Sequence, residues 1–353
     1  MKKLFYGMAA LALLHPSCEN DQFPAIEQEV QIDMSDFYVY TDADIDESAK
    51  ANETSRLANS KTCYTMVNLN RLLNENPGLE KKMYDIEYQT RKFLTAKGRP
   101  GGGGSGGGTV DNSNLYEAPI NEGLGPINIK VNIIVVYPNS NVISDSQIQS
   151  QIDVLNADFS NSNPEVLPSG TTFGDDRSNT GIQFTLASVE RHNDRTKYWG
   201  TNDAVKLAYP PKDPSRFLNI WVCDISRGIL GYAQFPGGNP TTDGVVIGGD
   251  YFGVTSGAYG LGRTATHEIG HFLNLRHIWG DGGCSQDDFV SDTPLSDRSN
   301  GGCPPFPTVH CNTPDMTMNY MDYTYDQCMY MFTNGQRNRM RAIFLGSRAS
   351  LLN

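Results

Sequence analysis

The chain has few basic residues and, after its first residues, no long hydrophobic run. In 353 residues, 28 Lys and Arg stand against 40 Asp and Glu, which gives a net charge of −12. Binding to nucleic-acid phosphates needs a basic face, so we expect no nucleic-acid partner. No apolar stretch after residue 14 is long enough to cross a bilayer as a helix. The length allows two domains, or one domain with accessory segments.

The N-terminus has the pattern of an export signal. Lys2 and Lys3 precede a short apolar run, residues 4–14, which predicts a signal peptide. Cys18 follows, directly before an acidic and polar stretch, as in bacterial lipoprotein signals, where the cysteine is acylated. We therefore expect lipidation at Cys18 and a protein on the cell surface or outer membrane, with membrane contact through this lipid alone. The alternative is ordinary cleavage and secretion.

Three of the six histidines fall within one run of eleven residues, HEIGHFLNLRH. Residues four apart lie on one face of a helix, so His267 and His271 can bind one metal ion. Asn274 tolerates the left-handed conformation that ends a helix abruptly, which would bring His277 back to the same ion. Three neutral imidazoles with an open fourth position predict a catalytic Zn2+. Glu268 is then placed to act as the general base on a water molecule.

Strand and helix patterns alternate after the almost pure glycine run of residues 101–108, and they predict an α/β domain. Residues 244–248 form a short strand between glycines, which we interpret as an edge strand that pairs with an extended substrate. A plain edge strand is the alternative. Further helices are expected from an N-cap at Asn76 with Pro77 next, and from Thr333, which caps with Gln336. The other predicted elements are strands at 127–137, 182–187 and 217–223, and a helix from Ser144 to Phe159.

The seven cysteines have separate expected roles. Cys284, Cys303, Cys311 and Cys328 lie in an irregular stretch, and in an exported protein they predict two disulfides, with three connectivities open. A structural zinc cluster is the alternative, which the absence of a C-x-x-C pair disfavours. Cys223 is expected to be a buried apolar residue. Cys63 precedes the glycine run and could fill the open zinc position if the leader folds back; an incidental thiol is the alternative.

The zinc motif, with Asn319-Tyr320-Met321-Asp322-Tyr323 downstream, resembles the pappalysin (cytophagalysin) family of metzincin metalloproteases. The resemblance covers residues 110–353, and more loosely the leader from Cys63 onward. It implies a metzincin-type α/β (α+β) fold with a twisted mixed sheet and the active-site helix in an upper subdomain. The lower subdomain would be irregular, cross-linked by disulfides, and would end in a helix.

The resemblance also implies roles for single residues. Met321 matches the Met-turn beneath the zinc site, and Tyr323 matches the tyrosine that stabilises the oxyanion. Asp326 matches an acidic residue at the bottom of the S1′ pocket in members that cleave before Arg or Lys. Cys63 matches the latency switch, although Tyr64 stands where Gly is common.

For the structural residues, the resemblance implies disulfides Cys284–Cys311 and Cys303–Cys328. It also implies a structural Ca2+ at Asp288 and Thr293.

These patterns together predict a zinc endopeptidase that acts on polypeptides and is made as a zymogen, with a preference for Arg or Lys at P1′. The alternative is a surface binding protein with a structural zinc site, which would have no need of Glu268 beside its metal. The oligomeric state is not defined by the sequence. The expected segments are a signal peptide (1–18), a pro-segment (19–99), a linker (100–109) and a catalytic domain (110–353), divided into 110–277 and 278–353.

Overall fold

A computed structural model describes residues 31–41, 62–97, 117–164, 167–226 and 228–353. The chain divides into residues 1–31, of which only Gln31 is described, and a compact unit of residues 32–353. The predicted signal peptide, the lipidation site Cys18 and the glycine linker therefore lie outside the described residues. No helix in the described part of the chain is long and apolar enough to span a membrane.

A six-stranded sheet lies at the centre of the compact unit, with the strand order β1-β5-β6-β4-β2-β3. All neighbouring strands are parallel except β5 and β6. The predicted mixed α/β class is therefore confirmed. The strands are β1 (Thr62–Cys63), β2 (Ile127–Tyr137), β3 (Ile182–Asn193), β4 (Leu218–Cys223), β5 (Ile229–Ala233) and β6 (Val245–Gly248).

Among the described residues, six α-helices accompany the sheet: α1 (Thr65–Glu75), α2 (Leu79–Lys97), α3 (Asp145–Phe159), α4 (Ala204–Ala208), α5 (Arg263–Phe272) and α6 (Asn334–Ala342). The sequence did not predict α1, because its N-cap residue Tyr64 makes no side-chain cap. The helix predicted from Asn76 is present as α2, but the predicted N-cap at Asn76 is wrong. The N–H group of Asn76 donates to the Leu72 carbonyl, so that Asn76 ends α1 and α2 begins only at Leu79.

The two faces of the sheet belong to different clusters of buried side chains. On strand β2, Ile133 and Val135 pack into the cluster that contains the apolar residues of α3 and α5. The alternate residues Ile134 and Val136 pack on the opposite face with Trp221. Because successive side chains of a strand point to opposite faces, β2 is buried on both sides, as its apolar run predicts. This packing fixes the zinc-motif helix α5 against one face of the sheet.

The lower part, after residue 277, has little regular structure. Its short strands are β7 (Gly301–Gly302), β8 (Val309–His310), β9 (Thr313–Pro314) and β10 (Tyr323–Thr324). Disulfides join Cys284 to Cys311 and Cys303 to Cys328, the same pairs that the family resemblance implies. Helix α6 begins at Thr333 with the predicted capping box to Gln336. Both disulfides join residues within the irregular segment and so cross-link it internally.

The described part of the leader, residues 31–41 and 62–97, packs on the rest of the unit. Apolar residues of α1 and α2 form a small hydrophobic cluster with Phe235, which lies two residues after the end of β5. Glu87 of α2 forms a buried ion pair with Arg339 of α6. Burial alone would raise the pKa of Glu87, but the Arg339 and Arg91 guanidiniums lower it to about 2. A second ion pair, at 2.5 Å, joins Arg71 of α1 to Asp203. These contacts place β1 at the edge of the sheet.

Candidate active site

Helix α5 and the turn after it position the three histidines of the motif. His267 and His271 lie one turn apart on α5. The helix stops because Asn274 adopts a left-handed conformation, with φ of 75°, and Leu275 N–H returns to the Gly270 carbonyl at 2.9 Å. Asn tolerates this conformation better than most residues. The turn carries His277 back to the other two rings, as the sequence predicts.

The Nε2 atoms of the three rings converge. His271 Nε2 lies 3.1 Å from Nε2 of both His267 and His277. Each Nδ1 faces a fixed acceptor. His267 Nδ1 lies 2.7 Å from the Tyr320 carbonyl, and His271 Nδ1 lies 2.8 Å from the Leu275 carbonyl. His277 Nδ1 lies 2.5 Å from Asp281 Oδ1. Because these acceptors have no proton to give, the Nδ1 atoms carry the ring protons and the Nε2 atoms present lone pairs to one another.

Three lone pairs that face one another cannot form hydrogen bonds. Protonating the rings would instead place positive charges side by side in a buried site, which is more unfavourable still. Burial and the neighbouring His277 lower the pKa of His267 to about 3, and the same two causes lower the pKa of His271. A tetrahedral zinc with Zn–N distances of about 2.1 Å holds its nitrogens about 3.4 Å apart, close to the separation seen here. The donor set therefore fits a zinc ion.

Cys63 of the leader lies at the same point. Its Sγ and the three His nitrogens lie within 4.8 Å of one another, and all four residues are buried. Tyr64 N–H donates to the Gly231 carbonyl at 3.0 Å, which fixes Cys63 beside strand β5. Burial and the nearby Glu268 carboxylate raise the pKa of the thiol well above its usual value. A metal ion reverses this effect because a coordinated thiol is deprotonated. Three imidazoles and one thiolate complete a zinc coordination shell.

Glu268 is fully buried beside the three histidines, and a second leader residue holds it. Thr65 Oγ1 donates to Glu268 Oε2 at 2.6 Å and accepts from Ala233 N–H of β5 at 2.7 Å. Burial raises the pKa of Glu268 to about 7. Gly231 allows this approach, since a Cβ there would lie 3.1 Å from Glu268 Cγ and 2.8 Å from the Val246 carbonyl. Nothing in the sequence pattern singled out Thr65.

The segment after residue 316 forms the other wall of the site. Tyr323 donates through its hydroxyl to the Cys63 carbonyl at 3.2 Å, and its ring centre lies 5.0 Å from that of His277. Met321 is buried against α5, where a Cβ on Gly270 would lie 2.4 Å from its sulfur. Trp279, which sequence reasoning missed, stacks on His277 with ring centres 4.2 Å apart. In the sequence, the only indication of this role is that Trp279 is an aromatic residue two positions after His277.

A narrow pocket, with a cavity volume of about 20 Å3, lies beside Glu268. Asp326 lines it, and Oδ2 of Asp326 accepts from the N–H groups of Leu261 (2.8 Å) and Arg263 (3.2 Å) at the start of α5. Burial raises the pKa of Asp326 to about 6. Leu230, Tyr259 and Met329 supply apolar walls. The pocket thus combines these apolar walls with the side chains of Asp326, Asp322, Glu268 and Arg263.

The predicted substrate-binding edge strand is wrong. Residues 245–248 form β6, which lies between β5 and β4 and is no edge. In the part of the chain that the structure describes, β1 of the leader is the one strand beyond β5, so β5 is the edge strand of the part that follows the linker. The glycines around β6 were interpreted as signs of an exposed strand. They instead allow atoms of neighbouring residues to approach the backbone closely. A Cβ on Gly244, for example, would lie 2.3 Å from the Asn219 carbonyl.

The two residues of the predicted calcium site contact each other. Thr293 Oγ1 donates to Asp288 Oδ1 at 2.8 Å, and Oδ2 of the buried Asp288 has no partner among the described residues. Burial and the neighbouring Asp287 raise the pKa of Asp288. The only group of three or more His, Cys, Asp or Glu ligands gathered in the described ranges is that of Cys63 and the histidines. Calcium therefore stays a prediction.

Comparison with known proteins supports a metalloprotease. A peptidase family model described as Pregnancy-associated plasma protein-A matches residues 201–345. An "Extracellular metalloprotease" of Arthroderma benhamiae is 34% identical over 227 residues, which are 61% of this chain and 71% of that protein. One of Pyricularia oryzae is 34% identical over 216 residues, 59% of this chain and 70% of that protein.

Two solved structures from Tannerella forsythia are similar as well. Mature mirolysin in complex with a cleaved peptide is 43% identical, with a TM-score of 0.62 over 65% of this chain and 96% of that chain. A promirolysin mutant is 37% identical, with a TM-score of 0.68 over 82% of this chain and 97% of that chain. The likeness to the precursor covers more of this chain than the likeness to the mature protein.

The turn at Asn274 provides a test of the metal site. We expect Asn274→Gly to keep full zinc content, because glycine adopts a positive φ without strain. Asn274→Val should lower zinc affinity at least tenfold, since a β-branched residue resists this conformation and displaces His277. Zinc affinity is measured by competition with a chelator. Equal affinity in the Val and Gly variants would contradict this role of the turn.

Proposed function

The chain belongs to the pappalysin family of metalloproteases, and from this premise we propose that it is a zinc-dependent endopeptidase made as a latent precursor. The observation that supports this most is the convergence of three neutral imidazoles next to a buried carboxylate, Glu268. A purely structural zinc site would not need that carboxylate. Cys63 of the leader closes the same site.

His267, His271 and His277 would hold the zinc. When bound, zinc polarises a peptide carbonyl and lowers the pKa of a water molecule, so that the water can lose a proton near neutral pH and attack the carbonyl. Glu268 takes the proton of the attacking water and passes it to the leaving amine. The Tyr323 hydroxyl, which now donates to the Cys63 carbonyl, turns to the carbonyl oxygen of the substrate and stabilises its developing negative charge. Met321 supports the ligand helix from below.

Strand β5 would bind the substrate backbone. In the latent chain, β1 occupies this edge in a parallel pairing with β5. Departure of the leader frees the N–H and carbonyl groups of β5, and an extended polypeptide can pair with them. Edge pairing binds main chain, which suits a protein substrate better than a small ester or amide.

The pocket beside Glu268 would be the S1′ subsite. Asp326 lies in it as the acidic group, and the apolar walls suit the methylene stem of a long basic side chain. We infer from this a preference for Arg or Lys at P1′.

Export is supported by the names of the fungal relatives, which are extracellular metalloproteases. Lipidation at Cys18 stays a prediction from the sequence.

The role of Glu268 is tested by Glu268→Gln. We expect casein cleavage by the enzyme freed of its leader through limited proteolysis to fall roughly 10²–10⁴-fold, because the proton acceptor is lost. Zinc content should stay at the wild-type level, since Glu268 is not a ligand. Wild-type protein treated in the same way is the control. Cleavage at the wild-type rate, by a preparation free of other proteases, would rule out this mechanism.

The leader contacts are tested by the rate at which the full chain activates itself. Thr65→Val removes two buried hydrogen bonds, one of them to a carboxylate, and should shorten the activation half-time about tenfold. Cys63→Ala should shorten it further. The control Thr65→Ser keeps the hydroxyl and should behave like the wild type. Identical half-times for the Val and Ser variants would show that Thr65 has no part in latency.

The P1′ preference should depend on pH through Asp326. Burial has raised its pKa to about 6, so the carboxylate is charged above pH 6 and becomes neutral as the pH falls through 6. The ratio of kcat/KM for peptides with Arg and with Leu at P1′ should therefore fall below pH 6. The titration of Glu268 changes kcat/KM by the same factor for both peptides and therefore cancels in the ratio. In Asp326→Asn the ratio should be low at every pH; an unchanged ratio in this variant would contradict the assignment.

A further inference from the structure

Two arginines of the catalytic domain lie against the turn that carries His277. Arg276 directly precedes His277 in the chain. Arg339 of α6 donates through Nε to the backbone carbonyl of Asn274, the left-handed residue of this turn, at 3.1 Å. Both arginines are buried, with 4% and 2% of their surface exposed. Because a buried guanidinium is unfavourable without acceptors, each of these two groups needs a partner.

The leader supplies these partners. One carboxylate oxygen of Glu87 in α2 accepts from Arg339 Nη1 at 3.1 Å, and the other accepts from Nη2. Arg276 donates through Nη2 to the backbone carbonyl of Tyr38. In the described part of the chain, Glu87 is the one carboxylate that forms an ion pair with either guanidinium. Loss of the leader therefore leaves both guanidiniums without a paired acid.

The catalytic domain does not satisfy Arg276 by itself. Nη1 of Arg276 is buried and has no hydrogen-bond partner among the described residues. Asp281, which attracts Arg276 from the catalytic domain, already accepts from His277 Nδ1 at 2.5 Å. Buried donors without partners are rare in native structures. More donors than acceptors face this place, which is the character of an anion-binding site.

Phe289 adds an apolar surface to the two charges. Its ring centre lies 4.7 Å from the guanidinium carbon of Arg276 and 5.6 Å from that of Arg339. The Tyr38 ring of the leader covers Arg276, with 4.3 Å between the ring centre and the guanidinium carbon. Phe37 stacks on Phe289 with ring centres 6.2 Å apart. The leader thus fits this surface with one acid and two aromatic rings.

None of these contacts uses the peptide link between the leader and the catalytic domain. Tyr38 and Glu87 both precede Lys97, the last residue of α2, so a cut after Lys97 leaves them in place. Separating a buried ion pair is strongly unfavourable, because it leaves a buried charge without its partner. The cut removes only the high effective concentration that the covalent link provides. The severed leader therefore keeps its contacts with Arg276 and Arg339.

We propose that Arg276, Arg339 and Phe289 form a carboxylate-binding site that retains the leader as a non-covalent inhibitor after the chain is cut behind α2. The ligand is an acidic and aromatic segment of the same chain, with Glu87 as its acid. The inference rests on the proposed latent endopeptidase and adds that a single cut does not activate it. The active site opens only when α2 itself is digested, or when dilution lets the severed leader dissociate.

The experiment nicks the full chain by limited proteolysis between residues 97 and 117 and measures whether the leader stays bound. Retention is measured by size exclusion at several dilutions in the Glu268→Gln background, which cannot digest the severed leader. The wild-type leader should co-elute with the catalytic domain. Glu87→Gln should weaken its binding about 10²–10³-fold, because Arg339 is left buried without its acid. The matched control Glu80→Gln changes an exposed glutamate of the same helix and should behave like the wild type.

A wild-type leader that dissociates as readily as the Glu87→Gln leader would overturn the proposal, and so would equal weakening in Glu80→Gln. If Glu87→Gln does not fold, Tyr38→Phe takes its place. This variant keeps the ring over Arg276 and loses the hydroxyl that donates to the Asp287 carbonyl at 2.8 Å. It should weaken binding up to about tenfold, and retention equal to the wild type would contradict the site.

Casein cleavage in the background with intact Glu268 separates this inference from the proposed function. The nicked wild type should stay inactive and become active once further digestion destroys α2. Full activity directly after the nick, with the leader released, would overturn the inference while the endopeptidase stands. If no casein is cleaved even after α2 is gone, the proposed function fails, and size exclusion still decides whether the leader is retained.

Discussion

Three imidazole lone pairs that face one point are the constraint on which the rest of this structure depends. Each ring is held by a hydrogen bond at its opposite nitrogen, and burial lowers the pKa of His267 and His271. Such an arrangement is unfavourable without a cation, and a cation makes it a binding site. The left-handed turn at Asn274, the glycine at Gly270 and the stacking of Trp279 on His277 all serve to hold this geometry.

The leader closes the site at two chemically different points. Cys63 occupies the position where a metal would bind water or substrate, and Thr65 binds the carboxylate that would accept the proton. The backbone of β1 also covers the edge of β5. Four consecutive residues, 62–65, thus contact the histidine cluster, the Glu268 carboxylate and the edge of β5. The buried ion pairs of α1 and α2 anchor this short segment from a distance, because four residues alone could not hold their place against solvent.

How far the sequence predicts this arrangement depends on how local each feature is. The helix spacing of His267 and His271, the turn at Asn274 and the capping box at Thr333 involve residues a few positions apart, and the structure has them as predicted. The edge strand and Thr65 depend on which strands become neighbours, which no local pattern contains. Residues 245–248 were misinterpreted for this reason.

X-ray absorption spectroscopy at the zinc edge tests the central claim most directly. In the purified full-length chain, we predict one zinc per chain with three nitrogen ligands and one sulfur ligand at about 2.3 Å. After removal of the leader, the sulfur contribution should disappear and a light-atom ligand should replace it, with the three nitrogens unchanged. A full-length chain whose zinc has no sulfur neighbour, or one that binds no zinc at this site, would contradict the account.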